Sequence, residues 1–397
     1  MRSALFLFFI SFSIFNFSQN VWVLKNNFGG LNRDDGIAFS LNGKGYYGTG
    51  MDAGFQLNND LWEYDDTNDS WTQKASCGAT LRQYAIGFSL NGKGYIACGL
   101  DNSTNYLNDI WEFDPVLDQW SQKTSLPSLG RMGSATFTIG PYAYICTGKT
   151  QALNFTKECW RYDPANDQWQ LMNPIPTNGL VRASAFATAG YGFLCAGRDS
   201  LVNYHSELWR YDPGGNSWIQ KQSMPGATRA YAIGFAAYYS GFICTGISSG
   251  NLYLRDLWEY DPYNDNWQQR ASLPATSRKG GSGFVINNDA YIMNGIDSSN
   301  TRLKEVWEYT PLTGIAYLKS DISFNIYPNP SNGMLKLVIE NNAWKEVRIF
   351  NVTGELIFRT RLNELMKLID LRDSPKGIYF IELSDGEYAA SKRFILQ

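Results

Sequence analysis

The chain has 397 residues, with 34 Lys and Arg against 37 Asp and Glu, for a formal net charge of −3. Hydrophobic residues at 44% and charged residues at 18% exclude an intrinsically disordered chain, and the lack of a basic field excludes electrostatic capture of nucleic acid. An aromatic content of 15% with 37 glycines, and no long amphipathic stretch rich in Ala, Glu, Lys and Leu, predicts an almost wholly β protein of short strands joined by turns.

Arg2 is followed by an apolar run, residues 4–17, shorter than the ~20 residues that span a bilayer. It has the form of a secretory signal, residues 1–18, so the mature chain is expected to begin at Gln19. No Cys follows the run to serve as a lipid anchor.

A repeat then begins. Trp62, Trp111, Trp160, Trp209, Trp258 and Trp307 follow one another at intervals of 49 residues. Trp71, Trp120, Trp169, Trp218 and Trp267 keep the same interval, as do Gly50, Gly99, Gly148, Gly197, Gly246 and Gly295, each ending a Tyr/Phe-rich stretch. Within a unit, "RQYAIGFSL" reads as a strand, "NGKG" as a hairpin turn, "YIACG" as a second strand, and "WEFDP" and "QWSQK" as the outer pair. One such sheet cannot bury both faces, so large flat side chains at fixed positions must fill the space between neighbours. The "DPxxDx" between the tryptophans reads as turn chemistry.

The sixth unit has Ala316 where its second Trp is expected, and Trp22 in "VWVLKN" stands 49 residues before Trp71. The N-terminal strand is therefore expected to complete the sixth sheet and remove its open edge. The competing reading makes residues 315–319 that strand.

Arg, hairpin, Gly-ended strand and "WxYDPxxxxW" together resemble kelch repeats over residues 20–319. The resemblance implies a six-bladed kelch-like β-propeller. The kelch Gly-Gly doublet is a single Gly here, as in Gly99-Leu100, Gly197-Arg198 and Gly246-Ile247.

After Ser320 the period stops, and alternating strands with Pro-Asn-Pro and Asn-Gly turns predict a small Ig-like β-sandwich over residues 320–397. "YPNPSNG", "IFNVTGE" and "KGIYFIEL" resemble, in this order, the type A sorting domain of the type IX secretion system. That family implies a Gram-negative cell, passage through the periplasm, handling by the type IX machinery, and a destination at the cell surface or outside it.

Catalytic and metal signatures are sparse. Cys98, Cys146, Cys195 and Cys244 recur at or beside one strand position and read as small buried hydrophobes, with Cys77 and Cys159 left over and no pair assigned. No C-x-x-C pattern exists, and His205 is the one histidine, which reads as a solvated loop residue. Some kelch proteins are copper oxidases, and these need two His ligands. "GKT" at residues 148–150 lacks the first Gly of a phosphate loop, where Ala143 stands. No cofactor is expected.

Two sets converge at the end of each unit where the first strand begins. Arg33, Arg82, Arg131, Arg229 and Arg278 step by 49 with Arg182 two residues out of register, and Leu57, Tyr106, Phe155, Tyr204, Tyr253 and Arg302 step likewise. Acidic residues recur at Asp60, Asp109, Glu158, Glu207, Asp256 and Glu305. Two readings stand: the arginines pair with these acids as framework, or they face a ligand together with Tyr106, Tyr204 and Tyr253. The residues that break the symmetry are Lys149, Arg198, His205, Arg255, Lys279 and Arg302. The expected function is recognition of a glycan or protein by this loop face. The alternative is a sugar-metabolising enzyme resembling the kelch-type sialic-acid epimerases, which work without metal.

Overall fold

The computed structural model describes residues 20–397 apart from 152–153, 312–323, 340–345, 352–355, 363 and 385–388. The expected signal, the expected boundary at residues 319–320, and Ala316 lie outside the described residues. The chain divides into two compact units, residues 1–311 and 312–397. Among the described residues the regular structure is all β apart from one 3-10 turn, Ser249–Asn251.

In the first unit the 49-residue repeat becomes six antiparallel sheets. Ile86–Leu90 pairs with Lys93–Asp101, which pairs with Tyr106–Asp114, which pairs with Gln119–Lys123. The first strand alternates buried and half-buried residues, while the second is buried nearly throughout because neighbouring sheets cover both its faces. Asn91 and Gly92 make the hairpin at φ of 51° and 74°, the left-handed conformations a two-residue turn of this hand requires.

Phenylalanine, rather than tryptophan, fills the innermost contact between sheets. Phe39, Phe88, Phe137, Phe186, Phe235 and Phe284 are each at most 6% exposed and stack on the ring seven residues later, with centroids 4.9–5.3 Å apart. The Phe284 ring leaves no room for a Cβ at Gly45, which would lie 2.1 Å from it. The tryptophans occupy the outer strands, half-buried, and pack against these cores from outside, so the space between sheets is filled by both sets of rings.

The outer tryptophans act as fasteners. Nε1 of Trp120, Trp169, Trp218 and Trp267 donates to the carbonyls of Ala75, Thr124, Asn173 and Gln222 in the preceding unit, at 2.7–3.0 Å. The second acid of "DPxxDx" does the same from its carboxylate: Asp118 accepts from the Ala75 amide and Asp167 from the Thr124 amide. That acid is thus more than turn chemistry, while the first, such as Asp65 on the Thr67 amide, is a turn residue.

Each sheet's first strand touches the next in chain order, and Ser282–Ile286 touches Ile37–Leu41. Inside them, six residues spaced by 49, Asp35, Tyr84, Gly133, Arg182, Tyr231 and Gly280, all have φ between 57° and 63°. Each amide donates to the carbonyl of the preceding member at 2.8–3.2 Å, and Asp35 donates to Gly280. Six backbone hydrogen bonds thereby make a closed ring. Val21–Lys25 pairs with Val306–Thr310, Trp22 opposite Tyr309, and Trp22 Nε1 donates to Ala271 O at 2.8 Å as the other fasteners do.

Cys146 and Cys159 lie opposite each other on paired strands and are joined as a disulfide. Cys146 is therefore not simply a small hydrophobe: register across the sheet, invisible in its spacing along the chain, supplied its partner. Cys77, Cys98, Cys195 and Cys244 are free and buried.

In the second unit, Phe324–Tyr327, Met334–Ile339 and Met366–Asp370 form one sheet. Glu346–Asn351, Leu356–Arg361, Gly377–Ser384 and Ala389–Leu396 form another. Leu335, Ile369, Val347, Ile349, Ile381 and Phe394 from both sheets share one fully buried core.

Candidate functional site

Five of the six candidate arginines are inside the wall. Arg33, Arg82, Arg131, Arg229 and Arg278 are at most 1% exposed. Arg82 is typical: its two terminal nitrogens each meet one oxygen of Asp109 at 2.7 Å, Nη1 also donates to Cys98 O at 2.9 Å, and Nε donates to Thr80 O at 3.0 Å. Trp111 Nε1 completes the carboxylate at 2.8 Å. Arg33 and Asp60, Arg229 and Asp256, Arg131 and Glu158, and Arg278 and Glu305 repeat the pair. A guanidinium clasped as Arg82 is has no free face for a ligand, whereas Arg131 Nη1 has no hydrogen-bond partner among the described residues and Arg131 lines a pocket of about 520 Å³. The burial and pairing of these five favour the framework reading of them over the ligand-facing one.

Arg182 is different because it belongs to the hydrogen-bonded ring. Its guanidinium lies 3.8 Å from the Tyr84 ring centroid and 4.6 Å from that of Tyr231, and Nη2 is 2.9 Å from Asp35 Oδ1. Asp35, Ser134, Arg182, Tyr231 and Gly280 line a pocket of about 140 Å³. Burial pushes the Asp35 carboxyl up to about 7 against the pull of Arg182. The charge of Asp35, followed by burial, raises the Tyr84 phenol.

The residues just outside the ring form six short ladders. Met132 is opposite Lys149, Val181 opposite Arg198, and Lys279 opposite Ile296. Tyr106, Tyr204 and Tyr253 sit on the third position of their ladders, opposite Leu100, Arg198 and Ile247, and all three are half-buried. Lys279 Nζ is 5.6 Å from the Tyr231 ring and 5.4 Å from the Tyr253 ring. Arg302 Nε is 2.6 Å from Asp34 Oδ1. On the rung next to the ring, Lys149, Arg198, Lys279 and Arg302, together with Arg182 of the ring, stand against Asp34 and Asp35, while Asp52, Asp101 and Asp297 lie one residue further out opposite wall arginines. Arg198 Nε is buried and has no hydrogen-bond partner among the described residues.

Sequence reading missed Asp35, Tyr84 and Tyr231. Their signal was the interval itself: Arg182, out of register with the wall arginines, is in register with these residues. His205 is held between Asp199 Oδ2 at 3.2 Å and Glu207 Oε2 at 3.1 Å. Lys149-Thr150 is a strand pairing with Arg131-Met132 rather than part of a phosphate loop. Among the described residues no group of three His, Cys, Asp or Glu is placed to hold a metal.

Residues 325–397 match the family described as Secretion system C-terminal sorting domain. The chain is type IX secretion cargo. Such cargo is carried to the cell surface or outside the cell, and no helix among the described residues is long and apolar enough to cross a membrane. A solved structure titled "Structure of YjhT" is similar to this cargo protein, with a TM-score of 0.62 and 17% identity over 70% of this chain and 94% of that one. At that identity the likeness shows the fold alone, a β-propeller-like one. No curated protein matches the chain.

Proposed function

We propose that the first unit is a six-bladed kelch-type propeller, closed by Val21–Lys25 on its last blade, that recognises an anionic glycan at its ring. The observation that carries the reading is the Arg182 guanidinium, sandwiched between Tyr84 and Tyr231 and shared with a single buried carboxyl, Asp35. When Asp35 holds its proton, Arg182 is the uncompensated charge of the ring, and a sugar carboxylate takes its place on the guanidinium fork. Lys149, Arg198 and Lys279 supply the surrounding field, and the tyrosines supply flat faces for a sugar ring. Titration of sialylated and uronic-acid oligosaccharides into the protein tests this, with Arg182→Gly as the control; equal binding by both proteins ends the reading.

A second reading rests on one further observation, the Asp35 carboxyl poised near neutrality beside a fixed cation, which suits general acid–base chemistry. In that case the ring converts its acidic sugar rather than only holding it. Anomer or epimer exchange followed by NMR, with Asp35→Asn as control, separates the two: binding without exchange leaves recognition, and exchange lost in the variant establishes catalysis.

A further inference from the structure

The fourth unit lacks the wall arginine. The residue in register with Arg33, Arg82, Arg131, Arg229 and Arg278 is Leu180, which is 3% exposed and packs in the core between sheets. Leucine fills the channel an arginine stem would occupy and ends short of where a guanidinium would sit. The acid that would receive that guanidinium, Glu207, is retained.

A pocket of about 210 Å³ lies there, lined among others by Asn178, Leu180, Ala196, Asp199, Glu207 and Trp209. Four of these positions are the ones that hold the guanidinium elsewhere. Asn178 corresponds to Thr80 and Ala227, whose carbonyls accept from Arg Nε. Ala196 corresponds to Cys98 and Thr245, whose carbonyls accept from Nη1. Glu207 corresponds to Asp109 and Asp256, and Trp209 to Trp111 and Trp258, whose indoles brace those carboxylates. The fourth repeat keeps the residues of that receptor without its arginine, and His205, held between Asp199 Oδ2 and Glu207 Oε2, lines the same pocket.

Glu207 is also more open than its counterparts. Its side chain is 41% exposed, above Asp109 at 19% and Asp256 at 20% and close to Glu158 at 38%, which is paired with Arg131. Oε2 is in contact with His205 and the Ser206 amide, at 3.1 and 3.2 Å, while Oε1 has no partner among the described hydrogen bonds. Asp199, whose carboxylate burial raises but the Asn203 side chain and amide outweigh, stays below the usual range and adds a second negative charge to the wall.

We propose that this pocket is a binding site for an external guanidinium group, carried by an arginine side chain or by a small arginine derivative. The residues that supply two carbonyls, a carboxylate and an indole to the guanidinium in other repeats are present here, a set that suits a planar fork and that an ammonium, a point charge without that fork, cannot use together. The site is distinct from the ring and independent of the glycan reading, since it selects a cation.

The test is binding of N-acetyl-arginine methylamide to the full chain by NMR or calorimetry, with the lysine analogue as control. A Gly-Arg-Gly peptide and free agmatine as further arms distinguish a peptide side chain from a small metabolite. The expected result is millimolar or tighter binding of the arginine probe, at least about tenfold weaker for lysine. Leu180→Arg, which supplies the missing guanidinium from within, is expected to abolish binding and raise the melting temperature. Glu207→Gln is expected to weaken binding at least about tenfold with little change in melting, and it stands as the test should Leu180→Arg fold poorly. No binding of the arginine probe at 20 mM, or equal binding by the parent and either folded variant, overturns the proposal.

Discussion

Arg182 Nη2 and Asp35 Oδ1 are 2.9 Å apart across a ring of six backbone hydrogen bonds, in a chain where five other arginines are buried against wall carboxylates. One guanidinium is thus withdrawn from the framework and placed at the axis. The ring position holds Gly in two of the six units, Gly133 and Gly280, at the same left-handed φ of 63°. Arg182→Gly therefore removes the charge without backbone strain, and the variant is expected to keep a cooperative melt.

Asp35 makes stability and binding depend on pH in a defined direction. Its carboxyl is pushed up to about 7 by burial, so the folded state keeps this proton to higher pH than the unfolded chain does. The group's contribution to stability then falls as pH rises from about 4 to about 7 and is flat above. The melting temperature of Asp35→Asn is expected to gain on that of the parent across this window. A difference that shrinks with rising pH contradicts the assignment. Binding of an anionic sugar is expected to weaken over the upper part of the same range, as Asp35 ionises and competes for Arg182.

The wall arginines are expected to behave oppositely. Arg82→Ala leaves Asp109 half-buried without its cation, and breaking such a pair costs about 3–5 kcal/mol. Thermal unfolding of Arg82→Ala and Arg229→Ala should show large losses of similar size. Near-native melting with loss of glycan binding would return these residues to the ligand.

Trp22 joins the N-terminal strand to the sheet of Val306–Thr310 and fastens it to Ala271. Trp22→Ala is expected to cost about 2 kcal/mol, roughly half the value for a fully buried Trp. Deleting residues 20–26 exposes the edge of Val306–Thr310, and light scattering should then show self-association. A truncated protein that stays monomeric and melts like the parent argues against closure by this strand.

Removing residues 325–397 is expected to leave the protein in the periplasm, detected by fractionation. Its arrival at the cell surface without that segment would separate export from the sorting domain.

What the sequence showed and what it hid have physical causes. The sheets were readable because each interface repeats the same packing, so Trp111 and Gly99 must recur at one interval. The pairing of Arg82 with Asp109 was open to reading as framework because anything present in nearly every unit serves the unit. The ring was hidden because it is built from backbone bonds and tolerates Asp, Tyr, Gly or Arg at one position, leaving no repeated letter. The inner Phe88 contact was obscured by the more conspicuous tryptophans. The Cys146–Cys159 link depended on cross-strand register.

The most direct measurement is calorimetric titration of a sialylated oligosaccharide into the parent, Arg182→Gly and Arg82→Lys at pH 6. The parent is expected to bind, Arg182→Gly to lose at least about tenfold in affinity with its melt preserved, and Arg82→Lys to retain binding in whatever fraction is folded. Parent and Arg182→Gly binding alike, or neither binding any acidic glycan, would contradict it.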